Sequence, residues 1–325
     1  MVSRRGSPGD SVRLSVTPPS PFRLPRLSGG DRAFRHTFGM SERLLVLDGA
    51  AVLVKLSQPR PDRVTFQAEP VEPSEVTGPG CNRMTRAGEA QLEEAIARLR
   101  FATGVDDDLS EMAARFRDDP LIGQAVRTRL HMRHMRRPYA WEAFAWGVTE
   151  QLIEYRRAAS IQRRMMARWG MAARGLRTVP SPDVVAGLAP AELESAGLSA
   201  RRAIAMIRAA REVTRGRVDM DDPSGDVRLL AIPEIGPWTI ACLGLHGRGD
   251  PDALLAGDLS HVKLVGYMAG LGRIATVEEV EDFYAPYAPW RGLAGNFMLA
   301  VHGAEVSGAG TYHRIRRGPG RARAA

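Results

Sequence analysis

The stretch Leu230-Ala231-Ile232-Pro233-Glu234-Ile235-Gly236-Pro237-Trp238-Thr239, with Asp258 further along, decides how this chain is read. An apolar helix end runs into a tight turn holding Gly236, and Pro237 opens a new helix at the first-turn position that proline tolerates best. The free N–H groups of that first turn and the positive end of the helix dipole together make an anion site suited to a backbone phosphate. A carboxylate, Asp258, then stands where Leu259 begins a further helical pattern. Taken singly, the turn is ordinary punctuation between helices and Asp258 is an ordinary N-cap.

The combination is more specific. Gly236-Pro237-Trp238-Thr239, the Asp-Leu-x-x-x-Lys run from Asp258 to Lys263, and Ala288-Pro289-Trp290-Arg291 before a final apolar helix occur in a fixed order. That order resembles the helix-hairpin-helix DNA glycosylase superfamily, within it the DNA-3-methyladenine glycosylase II (AlkA-like) branch. The resemblance implies an α+β fold: a small N-terminal antiparallel β-sheet/helix domain, then a mostly α, two-lobed helix-hairpin-helix domain. It implies a monofunctional glycosylase that flips an alkylated base of the 3-methyladenine type out of the duplex and hydrolyses its N-glycosidic bond. The expected partner is double-stranded DNA containing damaged bases, met by a monomer.

Chemistry asks for a carboxylate here. Dissociative cleavage builds positive charge on the deoxyribose, and a fixed negative charge aimed at the sugar stabilises that state and helps orient water. The resemblance gives Asp258 this role. Asp250 and Asp252 are rivals by proximity, but they flank Pro251 and read as turn residues. Ile235, Gly236, Pro237 and Thr239 are the expected DNA-binding positions. Gln151, in Thr149-Glu150-Gln151-Leu152-Ile153, matches a Gln-containing run at the family's cleft and joins Trp238, Trp146 and Tyr155 as the expected base pocket. Aromatic faces select an electron-poor alkylated purine by stacking and cation–π attraction. Trp141 and Trp290 are further candidates, although tryptophans at helical spacing are more often core.

Glycosylases that also nick the strand use a lysine two positions after the hairpin's last glycine, and here that position is Trp238. The chain has only two lysines, Lys55 and Lys263, which argues against a Schiff base. Departures also appear. Glu234 replaces the hairpin's first glycine, and a left-handed backbone there would cost about 1 kcal/mol. Cys242 and Leu299 replace two aromatic pocket positions. A non-catalytic lesion-binding protein of the same fold is the alternative reading.

The 325 residues suffice for two or more domains. Cys81 and Cys242 are the only cysteines, which excludes a disulfide framework and a four-cysteine iron–sulfur cluster. No cofactor is expected beyond a monovalent or alkaline-earth cation at the hairpin. The pair His131 and His134 lacks a third ligand and sits among arginines, so no metal site is expected. Asp48 and Lys55 interrupt the best apolar run, and no apolar segment follows Arg4 and Arg5, so a cytoplasmic location and no membrane are expected.

The net charge of +8 is misleading. Residues 1–35 and 311–325 contribute +5 each, leaving −2 between them. Bulk charge therefore says little about nucleic acid. Two arginine clusters, Arg127 to Arg137 and Arg156 to Arg168, read as helix faces.

The expected organisation is a basic tail over 1–20, an α+β domain over 21–107, a helical domain over 108–310 and a basic tail over 311–325. Strands are expected at Val12–Val16, Leu44–Leu47, Ala51–Leu56 and Val64–Ala68. A helix carrying a Glu94–Arg98 pair is expected from Gly88 to Phe101. Later helices include Trp141–Tyr155, Ala158–Trp169, Ala200–Thr214, Pro237–Leu245, Leu259–Ala269, Val277–Tyr284 and Arg291–His302.

Overall fold

The computed structural model describes residues 3–4, 11–25 and 33–307. The 311–325 tail and most of the first ten residues lie outside them. Strands β1 (Ser3–Arg4), β2 (Val12–Val16), β3 (Phe34–Thr37), β4 (Met40–Leu47), β5 (Ala50–Arg60) and β6 (Arg63–Pro70) form one antiparallel sheet in the order β1-β2-β6-β5-β4-β3. The first strands correct the expected tail. Val12–Val16 pairs with Val64–Ala68, so the sheet begins well before residue 21.

The middle of the sheet is buried on both faces, which explains why β5 opens as an unbroken apolar run rather than an alternating one. Val52, Val54 and Leu56 point with Phe66 and Ala68 at helix α1 (Glu89–Thr103), meeting Leu92, Ala95, Ile96 and Leu99. Ala51 and Leu53 point the other way, against Val71, Val76, Ala173 and Leu176. The last two belong to a short hairpin, β7 (Ala172–Ala173) and β8 (Leu176–Arg177). Its turn uses left-handed Arg174 and Gly175, the geometry a tight hairpin requires. The Glu94–Arg98 pair on α1 forms at 2.8 Å.

The remaining helices are α2 (Ser110–Phe116), α3 (Gly123–Arg129), α4 (Ala140–Glu150), α5 (Tyr155–Trp169), α6 (Pro182–Ala186), α7 (Pro190–Ser195), α8 (Ala200–Thr214), α9 (Asp226–Leu230), α10 (Pro237–Cys242), α11 (Leu259–Met268), α12 (Val277–Tyr284) and α13 (Arg291–Ser307). They share two apolar clusters. One joins α4 to α9 with Ile232 and Ile235 of the hairpin. The other joins α2 and α3 to α11, α12 and α13. Pro182 and Pro190 sit in the first turn of short helices rather than in loops, as proline's fixed φ favours.

The sheet is locked to the helices by a buried ion pair. Arg43 Nη2 of β4 donates to both carboxylate oxygens of Glu142 on α4, at 2.7 and 2.6 Å. Neither side chain is more than 5% exposed. The Tyr139 hydroxyl donates to Val46 O at 2.8 Å across the same junction.

Two further expectations are corrected. The stretch 131–138 is not helical. Arg133 reaches Ser20 Oγ and Asp107 O, and Arg136 reaches Asp107 and Phe101 O. Beyond Cys242, α10 continues as a π-helical segment, Leu243–Arg248. A Cβ on Gly247 would come within 3.1 Å of the Ala140 backbone, so glycine there lets two helices approach closely. The expected helix Trp141–Tyr155 breaks after Glu150, with consequences for the site.

Candidate active site and nucleic-acid interface

The hairpin is built on two apolar anchors. Ile232 and Ile235 are 7% and 5% exposed, and Ile235 N donates to Ile232 O at 3.0 Å to close the turn. Gly236 then lifts the chain clear: a Cβ there would meet nothing within 4 Å. Pro237 opens α10, with Thr239 N and Ile240 N donating back to Gly236 O at 3.0 and 3.2 Å. Pro233, Glu234 and Pro237 are exposed and Gly236 is half-buried. The side chains of Ile235 and Thr239 are buried. They hold the turn from beneath.

Glu234 takes φ +74°, the left-handed conformation expected of a residue standing in for glycine. Its carboxylate lies 3.7 Å from Arg201 Nη1, so a surface arginine of α8 partly offsets the negative charge beside the anion site.

Gln151 lies at the end of α4 and spans to this turn. Its Nε2 donates to Glu234 O and to Thr239 Oγ1, both at 2.8 Å. That side chain is a strut tying α4 to the hairpin. The chain breaks here because α5 packs back across α4. Buried Gln162 of α5 donates to Ala145 O at 3.1 Å and to Thr149 Oγ1 at 2.7 Å. At the tip of the break Leu152 has φ +52° and is 99% exposed. A non-glycine residue in that conformation is uncommon, and a fully exposed leucine adds a second adverse feature. The sequence reading missed it by running one helix through residues 141–155.

Asp258 caps α11: its Oδ1 accepts from Ser260 N at 2.8 Å. The bland reading of this residue is thus true, and it fixes the carboxylate's position without excluding chemistry. Trp238 approaches it through Gly257, whose added Cβ would lie 3.9 Å from Trp238 Cδ1. The rival acids are accounted for. Asp250 Oδ1 accepts from Asp252 N at 2.9 Å in a local turn. Asp252 grips Arg291, accepting from its backbone N, Nε and Nη2 at 3.0, 2.9 and 2.6 Å. The Pro-Trp-Arg motif therefore anchors the start of α13.

A second carboxylate converges on the same place. Glu150, in the last turn of α4, accepts from Trp146 Nε1 at 2.7 Å. Trp146 is flanked by Tyr155, with ring centroids 5.5 Å apart, and by the Arg137 guanidinium 4.6 Å from its ring centroid. Burial, with the Asp258 charge adding to it, raises the Glu150 carboxyl above the usual range, while Trp146 and Arg137 pull against this. Burial pushes the Cys242 thiol well up, helped by both Glu150 and Asp258. Cys242 itself packs against α4, with a Cβ on Gly147 3.3 Å from its own Cβ.

Behind them is a neutral relay of rings. His134 Nε2 and His246 Nδ1 share a hydrogen bond of 2.7 Å, and Asn296 reaches His134 Nδ1. Burial brings His246 down to about 4. Both nitrogens of His134 are engaged, which explains why His131 and His134 make no ligand pair. Among the described residues no group of three or more His, Cys, Asp or Glu could hold a metal.

The other expected aromatics lie elsewhere. Trp141 stacks on Phe144 at 5.8 Å and donates to Pro180 O, and Trp290 packs edge-on against Phe116 at 6.1 Å. Leu299 of α13 packs in the second helical cluster. A cavity of about 360 Å³ lies between the sheet and the helices, lined by residues such as Tyr139, Trp141, Trp169 and Asp219. No helix among the described residues is long and apolar enough to cross a membrane. Lys55 is tied to Glu69 at 2.8 Å within the sheet, away from the site.

No protein-family model matches the chain. It is 22% identical over 219 residues to the DNA-3-methyladenine glycosylase of Bacillus subtilis, a match covering 64% of this chain and 72% of that protein. It is 27% identical over 211 residues to a probable bifunctional transcriptional activator/DNA repair enzyme AlkA of Mycobacterium tuberculosis, covering 62% of this chain and only 42% of that relative's length. The fold superposes on a 3-methyladenine DNA-glycosylase from Archaeoglobus fulgidus with a TM-score of 0.70 at 18% identity, over 90% of this chain and 99% of that one. It also superposes on an 8-oxoguanine glycosylase/lyase of Clostridium acetobutylicum, solved with DNA, with a TM-score of 0.66 at 13% identity, over 94% and 98% of the two chains.

Proposed function

We propose that this chain, an AlkA-like member of the helix-hairpin-helix DNA glycosylase superfamily, is a monofunctional glycosylase that releases alkylated bases from double-stranded DNA. The observation that supports the reading is that Gln151 ties the Leu152 tip to the Gly236–Pro237 turn, while Trp238 of that turn's helix packs near Gly257, the neighbour of Asp258.

The open backbone at Gly236 and the positive start of α10 grip one phosphate. Leu152, next to the Gln151 strut, enters the gap left in the stack when a base is turned out, as apolar wedges do. The flipped base is taken between the two helical clusters, which serve as the two lobes, against Trp146, Tyr155 and Trp238. Asp258 faces the sugar, stabilises the oxocarbenium-like charge as the C1′–N bond breaks, and orients the attacking water. Trp238 occupies the position where a lyase would place its amine, so the product is an intact abasic strand. The same hairpin carbonyls are where a monovalent or alkaline-earth cation would sit. A monomer acting in the cytoplasm completes the reading.

The test is release of free base from methylated duplex by purified protein, followed by chemical cleavage of abasic sites. The expected result is free 3-methyladenine or 7-methylguanine, with strand breaks only after the chemical step. Breaks without it would overturn the monofunctional claim. The Glu234 carboxylate beside the phosphate grip favours a second reading, a lesion-binding protein without chemistry. That reading expects tight binding to abasic-analogue duplex and no base release from any alkylated substrate.

A further inference from the structure

The glycosidic bond of a cationic 7-methylguanine breaks readily, because the base leaves as a neutral molecule. A neutral purine leaves as an anion unless a proton reaches it, and general acid catalysis is the usual answer. We propose that Glu150 is that acid, the residue that delivers a proton to a neutral purine leaving group in the reaction as read above.

The geometry has four parts. Glu150 is held in one orientation by the 2.7 Å bond from Trp146 Nε1. Trp146 is itself fixed between Tyr155 and Arg137. Glu150 and Asp258 come from separate elements, the end of α4 and the start of α11, and α10 borders both: an added Cβ on Gly147 would lie 3.3 Å from Cys242 Cβ, and one on Gly257 3.9 Å from Trp238 Cδ1. And Glu150 precedes Gln151, whose two bonds to the hairpin fix this end of α4. The groups facing Glu150 are Trp146 on its own helix, Arg137 before it, Cys242 on α10 and Asp258 before α11. Burial and the Asp258 charge favour its protonated form, and Arg137 and Trp146 oppose this. A carboxyl raised by burial can serve as the general acid of such a reaction.

The step balances. The C1′–N9 bond breaks with its electron pair going to the purine, and the Glu150 proton passes to a ring nitrogen of that base, which departs neutral. Asp258 stabilises the sugar cation. Water adds at C1′ and gives up a proton, leaving the abasic sugar, and Glu150 regains its proton from solvent.

The inference rests on the glycosylase reading, so the experiment carries both substrates. Single-turnover release is measured from a duplex with one deoxyinosine and from a duplex with one 7-methylguanine, across pH 5 to 9, for wild type and E150Q. Gln keeps an acceptor for Trp146 Nε1, so a merely structural role leaves the variant unaffected; thermal unfolding of E150Q checks its fold. In wild type, hypoxanthine release falls as pH rises while 7-methylguanine release does not follow it. In E150Q the ratio of hypoxanthine to 7-methylguanine release drops by about 100-fold, the lower end of general acid catalysis. An unchanged ratio in E150Q overturns the proposal, whether both rates hold or both fall together. So does wild type that releases 7-methylguanine but no hypoxanthine, which leaves the glycosylase reading standing. Release of neither base overturns both.

Discussion

At Glu234 the backbone holds φ +74° without a glycine, a conformation that costs an L-residue about 1–2 kcal/mol. Glu234→Gly should therefore raise stability by about 1 kcal/mol. It should also tighten binding to abasic-analogue duplex, since it removes a carboxylate from beside the phosphate grip. Denaturant unfolding and a binding titration check the two halves; weaker binding by the glycine variant would show that the carboxylate contributes to the contact. Glu150 makes a pH prediction. Its folded-state carboxyl is raised above the ordinary range, so its stability contribution is fully present at low pH and is lost as pH rises through the folded value. E150Q lacks that loss. Its melting temperature should match wild type near about pH 4, where carboxyls of this class begin to ionise, and exceed it at pH 7. A gap that does not grow with pH would contradict the burial argument. Gly236, Pro237, Trp238 and Asp258 were legible in the sequence because each stands in a motif of fixed order. Glu150 carried no signal of its own in the sequence, because its meaning depends on neighbours such as Trp146 and Arg137 being brought to it by the fold.

Among the elements, the break between α4 and α5 matters most. Continuous apolar spacing over residues 141–155 predicts one helix, and nothing local outweighs it. What breaks it is tertiary: buried Gln162 bonds the Ala145 carbonyl and Thr149 hydroxyl, and the chain must reverse within a few residues. The break exposes Leu152. Because that side chain is 99% exposed, Leu152→Ala should change stability by less than about 0.5 kcal/mol. Binding to a duplex with a flipped or abasic site should weaken on the order of tenfold, about 1.4 kcal/mol. Equal affinity for the two proteins would remove the wedge from the account. The strands of the sheet core were legible because β5 opens as an apolar run and β6 alternates apolar and polar residues, with Pro, Gly and Asp around them. The short α6 and α7 were not, since five and six residues carry too little periodicity to stand out.

Across the whole molecule, the sheet and the helices meet at Arg43 and Glu142, a pair no sequence pattern announces because its members lie 99 positions apart. Arg43 also keeps two guanidinium nitrogens buried without partners. Removing the acid alone would leave an uncompensated buried cation, so Glu142→Ala should destabilise the protein by about 3–5 kcal/mol, measured by denaturant unfolding; a loss under about 1 kcal/mol would mean the junction relaxes or hydrates. The charge distribution is likewise a property of the whole chain. Fragments 1–35 and 311–325 carry the positive excess, while Arg133, Arg136 and Arg137 are engaged with Ser20, Asp107 and Trp146 respectively. The basic groups that flank the proposed DNA face are Arg156 and Arg157, exposed just beyond Leu152.

The central claim is that one carboxylate, Asp258, does the chemistry on a DNA face made by the hairpin and the Leu152 tip. The most direct measurement is single-turnover release of 7-methylguanine from duplex DNA by wild type and by Asp258→Asn, with abasic-analogue binding measured on both. Asn keeps an acceptor for Ser260 N and so preserves the cap on α11. The account predicts comparable binding and a loss of release on the order of 100-fold or more in the variant, the scale set by removing one charge-stabilising group. Release by Asp258→Asn at the wild-type rate would contradict it.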